Sequence, residues 1–294
     1  RSRTYGHMLT GAVAGPVMLR IFQGLELDPW KPLIDLAIGA LLFELGTRLR
    51  PRWLLDNRWL ALSVLLQAAL AGLFVTLALG WLGAPWLTAV VAGTVAASTS
   101  PVIVLAVSHE ARARGQVTER MLMMSAFNAV VAVVGLKVLR ILLASDSGTP
   151  AEEFMRASIS ALRVISGSFL LGVACGFVMD RVSPLVRGTP AMPVLQIALV
   201  IIASMLAAQW TLSPLLALLV AGMTARARMK HGLTVEPHLG SAGAVLNVLL
   251  FICLGLLFSL EGIGHLWPWV LVIVLARLAG TAAAVAGLAK LSGL

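Results

Sequence analysis

The hexapeptide Ala96-Ala97-Ser98-Thr99-Ser100-Pro101 interrupts an apolar stretch that runs from about residue 86 to 108. The stretch is long enough to cross a bilayer, which takes about 20 residues of helix. Pro101 has no backbone N–H, and its ring clashes with the preceding turn. It also drives Ser100 out of the α region. In hydrocarbon, backbone groups freed in this way must find partners. Such a break therefore persists only where protein buries it or where it lines a polar cavity. Discontinuous helices near the midplane are the best sequence-level pointer to an ion or substrate site. The competing reading is a proline kink whose freed groups are covered by the Ser and Thr hydroxyls.

The composition around this break is that of a polytopic membrane protein. Hydrophobic residues make up 59% of the chain and charged residues 12%, with a mean hydropathy of +0.95. A soluble domain carries about twice that share of charge. The net charge of +9 is scattered over short loops with no basic domain to bear it, which argues against nucleic acid as a partner. Cys175 and Cys253 fall inside apolar stretches, so a disulfide framework is not expected. The first residue is Arg1 and no signal peptide precedes the first span, so the chain is expected to begin inside a longer gene product.

Hydropathy and length predict about ten helical spans of roughly 17–25 residues within a single transmembrane domain, 1–294. They run near 6–21, 32–48, 58–80, 86–108, 118–141, 156–179, 191–209, 212–229, 241–260 and 268–289. Pro214 suits the first turn of the eighth, where its missing N–H costs little. Alternate loops then sort by charge. One set carries Arg1, Arg3, Arg48, Arg50, Arg52, Arg58, Arg112, Arg114, Arg120, Arg181, Arg187, Arg226, Arg228, Lys230 and Lys290. The opposite set carries Lys31 with Glu26, Asp28, Asp146, Glu152, Glu153 and Glu261. The positive-inside rule places the first set, and both ends of the chain, in the cytoplasm. The expected setting is the lipid bilayer of a bacterial inner (plasma) membrane.

Charges inside spans mark candidate function. Arg20, Lys137, Arg140 and Arg156 lie near an outer end and can snorkel. Arg163 lies deeper, and Arg277 is near the middle of its span. Glu44 is the most deeply placed acid, in Leu42-Phe43-Glu44-Leu45-Gly46, and it stands four residues before Arg48. That spacing allows an ion pair on one helix face; a proton-binding role is the alternative. In the fifth span, Asn128 lies close to the same depth as Ser98 and Thr99. A cation there would use backbone carbonyls, hydroxyls and the amide oxygen, since hard cations take oxygen ligands. Thr99 and Asn128 are the candidate ligands for a monovalent cation. An interhelical hydrogen bond is the packing alternative for Asn128. Neither the fourth nor the fifth span holds a carboxylate in its interior.

Four stretches together resemble the monovalent cation:proton antiporter superfamily, the sodium/hydrogen exchanger family. Gly11–Leu19 (GAVAGPVML) resembles the Gly-x-x-x-Gly-Pro stretch of an early family helix. Leu41–Arg50 (LLFELGTRLR) resembles its Leu-Phe-x-x-Gly-Leu helix. Ser98–Leu105 (STSPVIVL), followed by Arg112–Gly115, resembles its first discontinuous helix. Ala126–Val131 (AFNAVV) resembles the helix bearing the family's Asn-Asp or Asp-Asp pair. Leu212–Gly222 and Leu250–Leu257 are looser matches, and Arg277 resembles a basic position in the following helix.

The resemblance implies an all-α, inverted-repeat sodium/proton antiporter fold with a discontinuous helix at the midplane. It also implies a homodimer, no cofactor, and exchange of Na+ or K+ for protons by alternating access. Ser98, Thr99, Ser100 and Pro101 would form the break, and Asn128 would coordinate the cation. Ala129 stands where the family has the aspartate that binds cation or proton, so exchange is expected to be impaired. Met124 is likewise neutral at the position of a family charge partner. Glu44 and Arg277 are the second rank of candidates. The family usually has further helices at both ends, so the sequence is expected to lack the first and last of them. Two other functions stay open: a non-transporting scaffold or sensor with this fold, and a sodium-coupled organic-anion carrier. An enzyme is not expected, because Gly-x-Ser-x-Gly, His-Glu-x-x-His and paired midplane carboxylates are all missing from the sequence.

Overall fold

The computed structural model describes residues 3–13, 31–49, 58–113, 115–144, 150–186, 189, 191–228, 240–256 and 263–292. Those residues are all-helical. The helices are α1 (Arg3–Ala12), α2 (Lys31–Arg48), α3 (Arg58–Trp81), α4 (Trp86–Ala96), α5 (Pro101–Glu110) and α6 (Gln116–Ala144). They continue with α7 (Pro150–Val182), α8 (Ala191–Gln209), α9 (Pro214–Arg228), α10 (Gly240–Leu256) and α11 (Ile263–Ser292). Residues 14–21 of the first expected span and 257–260 of the ninth lie outside the described residues, as do Arg20, Arg50, Arg52, Arg114, Lys230 and the side chains of Lys137 and Arg140.

Six stretches among the described residues are long and apolar enough to cross a membrane, and Trp86–Ser108 is one of them, spanning α4, the break and α5. The protein is an integral membrane protein. Helix α2 is not among the six because Lys31, Asp35, Glu44 and Arg48 dilute its hydropathy.

Backbone contacts divide the chain into two compact units, each assembled from separated segments. The first comprises residues 1–49, 102–119 and 164–261. Its core gathers Phe43, Leu171, Cys175, Met179, Leu199, Val200, Ala203 and Leu218. Two helix crossings in this unit need glycine. A Cβ on Gly46 of α2 would strike the Leu219 carbonyl oxygen of α9, and one on Gly222 would strike the Phe43 carbonyl oxygen. Gly11 of α1 and Gly255 of α10 repeat the arrangement against the carbonyls of Ile252 and Met8. In all four cases the carbonyl struck lies three residues before the partner glycine. Small residues at such points let helix backbones approach closely. This duplicated geometry is what an inverted repeat produces, with α1 and α2 answering to α9 and α10. Gly222→Val is expected to destabilise the protein by about 1–3 kcal/mol through overpacking, read as a lowered melting temperature of the purified protein.

The C-terminal end of α2 is closed by its neighbour α9. Arg226 donates to the Thr47 and Arg48 carbonyl oxygens at 2.7 and 2.6 Å. These are terminal carbonyls with no intrahelical partner, where a cation also meets the negative end of the helix dipole. Arg48 in turn forms the i,i+4 ion pair with Glu44 at 3.0 Å. The α8–α9 turn places Thr211 at φ +56°, a left-handed residue other than glycine. Ser168 on α7 accepts the Ser213 N–H at 2.9 Å just before Pro214 starts α9.

The second unit comprises residues 50–101, 120–163 and 262–294. Helix α11 lies along α3, with Gly280 against Leu70 and Ala71. Helix α4 packs on α3 through Gly72 and Gly93. Val75, Leu79, Ala89 and Ala96 form its core, packed against Trp269, Ile273 and Ala276 of α11. This unit carries the helix break.

Candidate functional site

The site is built where α4 stops. Its last regular residue is Ala96, with Ala97 still near helical geometry. Ala97 and Ser98 donate backward to the Gly93 and Val95 carbonyls, and residues 98–100 then leave the helix before Pro101 starts α5. The carbonyl of Ser98 therefore points away from any helical ladder. Arg277, on α11 of the same unit, meets it. A single guanidinium nitrogen, Nη2, donates to the Ser98 carbonyl oxygen at 2.7 Å and to the Thr99 hydroxyl oxygen at 3.1 Å. The first distance is that of a charge-assisted hydrogen bond. Arg277 is partly buried. Ala276, its neighbour in sequence, packs against the core to which Ala96 belongs, and this anchors α11 beside the end of α4.

Asn128 is 1% exposed on α6, and its Oδ1 is buried with no hydrogen-bond partner among the described residues. The interhelical hydrogen bond considered for it is not made by that oxygen. Gly135, two turns later on the same face of α6, packs against Thr94 of α4. The next residue after Asn128, Ala129, is partly buried. Ser125, one turn earlier, spends its hydroxyl on the Leu122 carbonyl.

The electrostatics are one-sided. Residues 58–101, 120–144 and 263–292 contain neither Asp nor Glu, while Arg277 contributes a fixed positive charge. Among the described residues Glu44 is the buried carboxylate, and it belongs to the other unit, paired with Arg48. Arg163 is exposed on α7, within the apolar stretch Ser158–Leu185. Among the described residues no three His, Cys, Asp or Glu side chains gather into a metal-ligating group.

Of the residues singled out from sequence, the structure joins Ser98, Thr99 and Arg277 by direct hydrogen bonds and sets Ser100 and Pro101 next in the chain. Sequence reasoning passed over Gln67 on α3, whose Oε1 is also buried and unpartnered among the described residues. The available signal was a lone amide in the apolar run Leu60–Leu79.

Residues 2–294 match the family described as "Sodium/hydrogen exchanger, transmembrane". The structure superposes on that of the sodium proton antiporter MjNhaP1 from Methanocaldococcus jannaschii at pH 8, with a TM-score of 0.66 and 18% identity, covering 97% of this chain and 72% of that one. An electron-microscopy map of MjNhaP1 gives a TM-score of 0.65 at 16% identity, covering 96% and 71%. At these identities the likeness speaks to the fold. No curated protein matches the sequence. Matched over nearly its whole length, the chain belongs to the sodium/hydrogen exchanger family of cation:proton antiporters.

Proposed function

We propose that the protein exchanges Na+ or K+ for protons by alternating access, with the cation held beside the break at Ser98–Pro101 and coordinated by Asn128 and Thr99. The observation that carries the reading is the buried, unpartnered Asn128 Oδ1 in the unit that also holds the break. An oxygen left without a donor in a low-dielectric interior is destabilising unless something binds it. A dehydrated monovalent cation satisfies that oxygen. Arg277 keeps the broken backbone in shape while the hydroxyls and carbonyls of residues 98–100 remain near the cation.

With Ala129 in place of the family aspartate, the site lacks the group for which proton and cation compete, so exchange is slow. The family supports a homodimer, and the charge of the loops supports cytoplasmic ends in a bacterial inner membrane. The unpartnered amide oxygens, which are acceptors, favour a cation over the organic-anion alternative; the missing carboxylate favours the scaffold alternative.

The test is proton movement in proteoliposomes driven by a Na+ or K+ gradient. Weak flux in the wild type, abolished in Asn128→Leu, is expected. Cation-independent uptake of an organic anion at constant pH would replace this reading with the anion carrier. Absence of any cation-driven flux, in the wild type and in Ala129→Asp alike, would leave the scaffold.

A further inference from the structure

Gln67 and Asn128 both lie in the unit that carries the break, and each ends in a buried amide oxygen with no hydrogen-bond partner among the described residues. The nearby donors are committed elsewhere. Ser63, Thr76, Thr94 and Ser125 each donate to a carbonyl three or four residues back in their own helix. Arg277 Nη2 is held on Ser98 and Thr99. The unit thus carries surplus acceptors, which suit a hard cation.

Helix register brings the two amides to one height. Gly72 of α3 packs against Gly93 and Ala97 of α4, while Thr76 packs against Gly93, so the two helices run antiparallel. Five residues from Gly72 toward the start of α3, Gln67 comes level with residues 98–101. On α6, Gly135 packs against Thr94. As the chain returns across the membrane, Asn128, two turns before Gly135, reaches the same level. Apolar residues surround Gln67 in sequence, and a leucine would fill the position without an unpaired group.

We infer that Gln67 is a further ligand of the transported cation, its Oε1 completing with Asn128 Oδ1 a pair of neutral oxygens level with the break. The inference rests on the cation-exchange reading above. Neutral oxygens bind a cation without first releasing a proton, so Gln67 sets cation affinity and selectivity rather than proton coupling.

The experiment is Na+-dependent thermal stabilisation of the purified protein, titrated with NaCl against choline chloride at matched ionic strength. Gln67→Leu is expected to raise the Na+ midpoint about tenfold, the loss of one good contact to a charge. Its melting temperature in choline alone should equal or exceed the wild type, because an unpaired oxygen has been removed. An unchanged Na+ midpoint in Gln67→Leu, with the midpoint raised in Asn128→Leu, overturns the inference and leaves cation binding at Asn128 standing. A lowered melting temperature in choline with an unchanged midpoint assigns Gln67 to packing and also overturns it. A wild type that responds to neither Na+ nor K+ sinks this inference and the exchange reading together. Where Gln67→Leu fails to fold, Gln67→Asn withdraws the oxygen by one methylene. The same rise in midpoint is then expected, and no rise overturns the inference.

Discussion

Ala129→Asp is expected to raise cation-driven proton flux in proteoliposomes by at least about tenfold, the scale on which a positioned proton-transfer group acts being 10²–10⁴-fold. The expectation comes from what the helices around the break lack. Residues 58–101, 120–144 and 263–292 hold a fixed cation in Arg277 and neutral oxygens in Asn128 and Thr99, but no carboxylate that can exchange a proton for a metal ion. Position 129 follows Asn128 and is partly buried, so a carboxylate there keeps access to the site. Its pH dependence has a definite form: flux should fall below the pKa of the carboxylate, where the proton displaces the cation, and fall again well above it, where the proton-loaded half of the cycle is starved. An aspartate at 129 that left flux at the wild-type level, in protein of unchanged size-exclusion profile, would sink the idea that this position is where coupling was lost. Flux already strong with alanine would move proton binding elsewhere, and Glu44 would be the first group to replace with glutamine.

Arg277→Ala should be the most damaging single truncation near the break. It removes two hydrogen bonds from a charged donor and leaves the Ser98 carbonyl without its partner at the end of α4. Hydrogen bonds to charged groups contribute about 1.5–3 kcal/mol each, and a stranded, partly buried acceptor adds part of its own desolvation penalty. A loss of about 3 kcal/mol in stability is expected, together with loss of cation-dependent flux. Arg277→Lys separates charge from reach. Both contacts come from one nitrogen, so an ammonium that reached the break could serve both oxygens. The lysine stem is shorter, so partial recovery of thermal stability is expected. Full stability in Arg277→Ala would show that the break is held by its own residues and not by α11.

The break was legible in the sequence because proline and three consecutive hydroxyl residues have no other business in an apolar stretch. The Glu44–Arg48 pair was legible because four residues is one turn of helix. Arg277 drew notice through its charge, and Ser98 and Thr99 through the break, but the contact between them did not. The break lies 179 and 178 residues away in sequence, and nothing local specifies such a contact. Gln67 was overlooked because hydropathy averages a single amide into its neighbours, and its significance emerges only when the commitments of every nearby donor are known. The two-unit organisation was equally hidden: each unit is stitched from three separated segments, so neither composition nor linkers mark a boundary. That Arg163 is exposed was hidden too, because position along a 33-residue helix does not reveal which way a side chain faces.

The hold of Arg277 on the break also has an electrical consequence. A guanidinium stays protonated at any physiological pH, so with alanine at 129 the site bears one positive charge when empty and two when a cation occupies it. Moving that second charge through the membrane potential involves about 2.3 kcal/mol per 100 mV for each elementary charge carried the full distance. The loaded carrier would thus respond to voltage in a way the empty one does not. An aspartate at 129 would restore the balance, because its proton or the cation would then neutralise the same carboxylate. Any cation that crosses with alanine at 129 without a returning proton should accordingly carry a transport current on supported membranes, and that current should vanish with aspartate, even as proton flux rises.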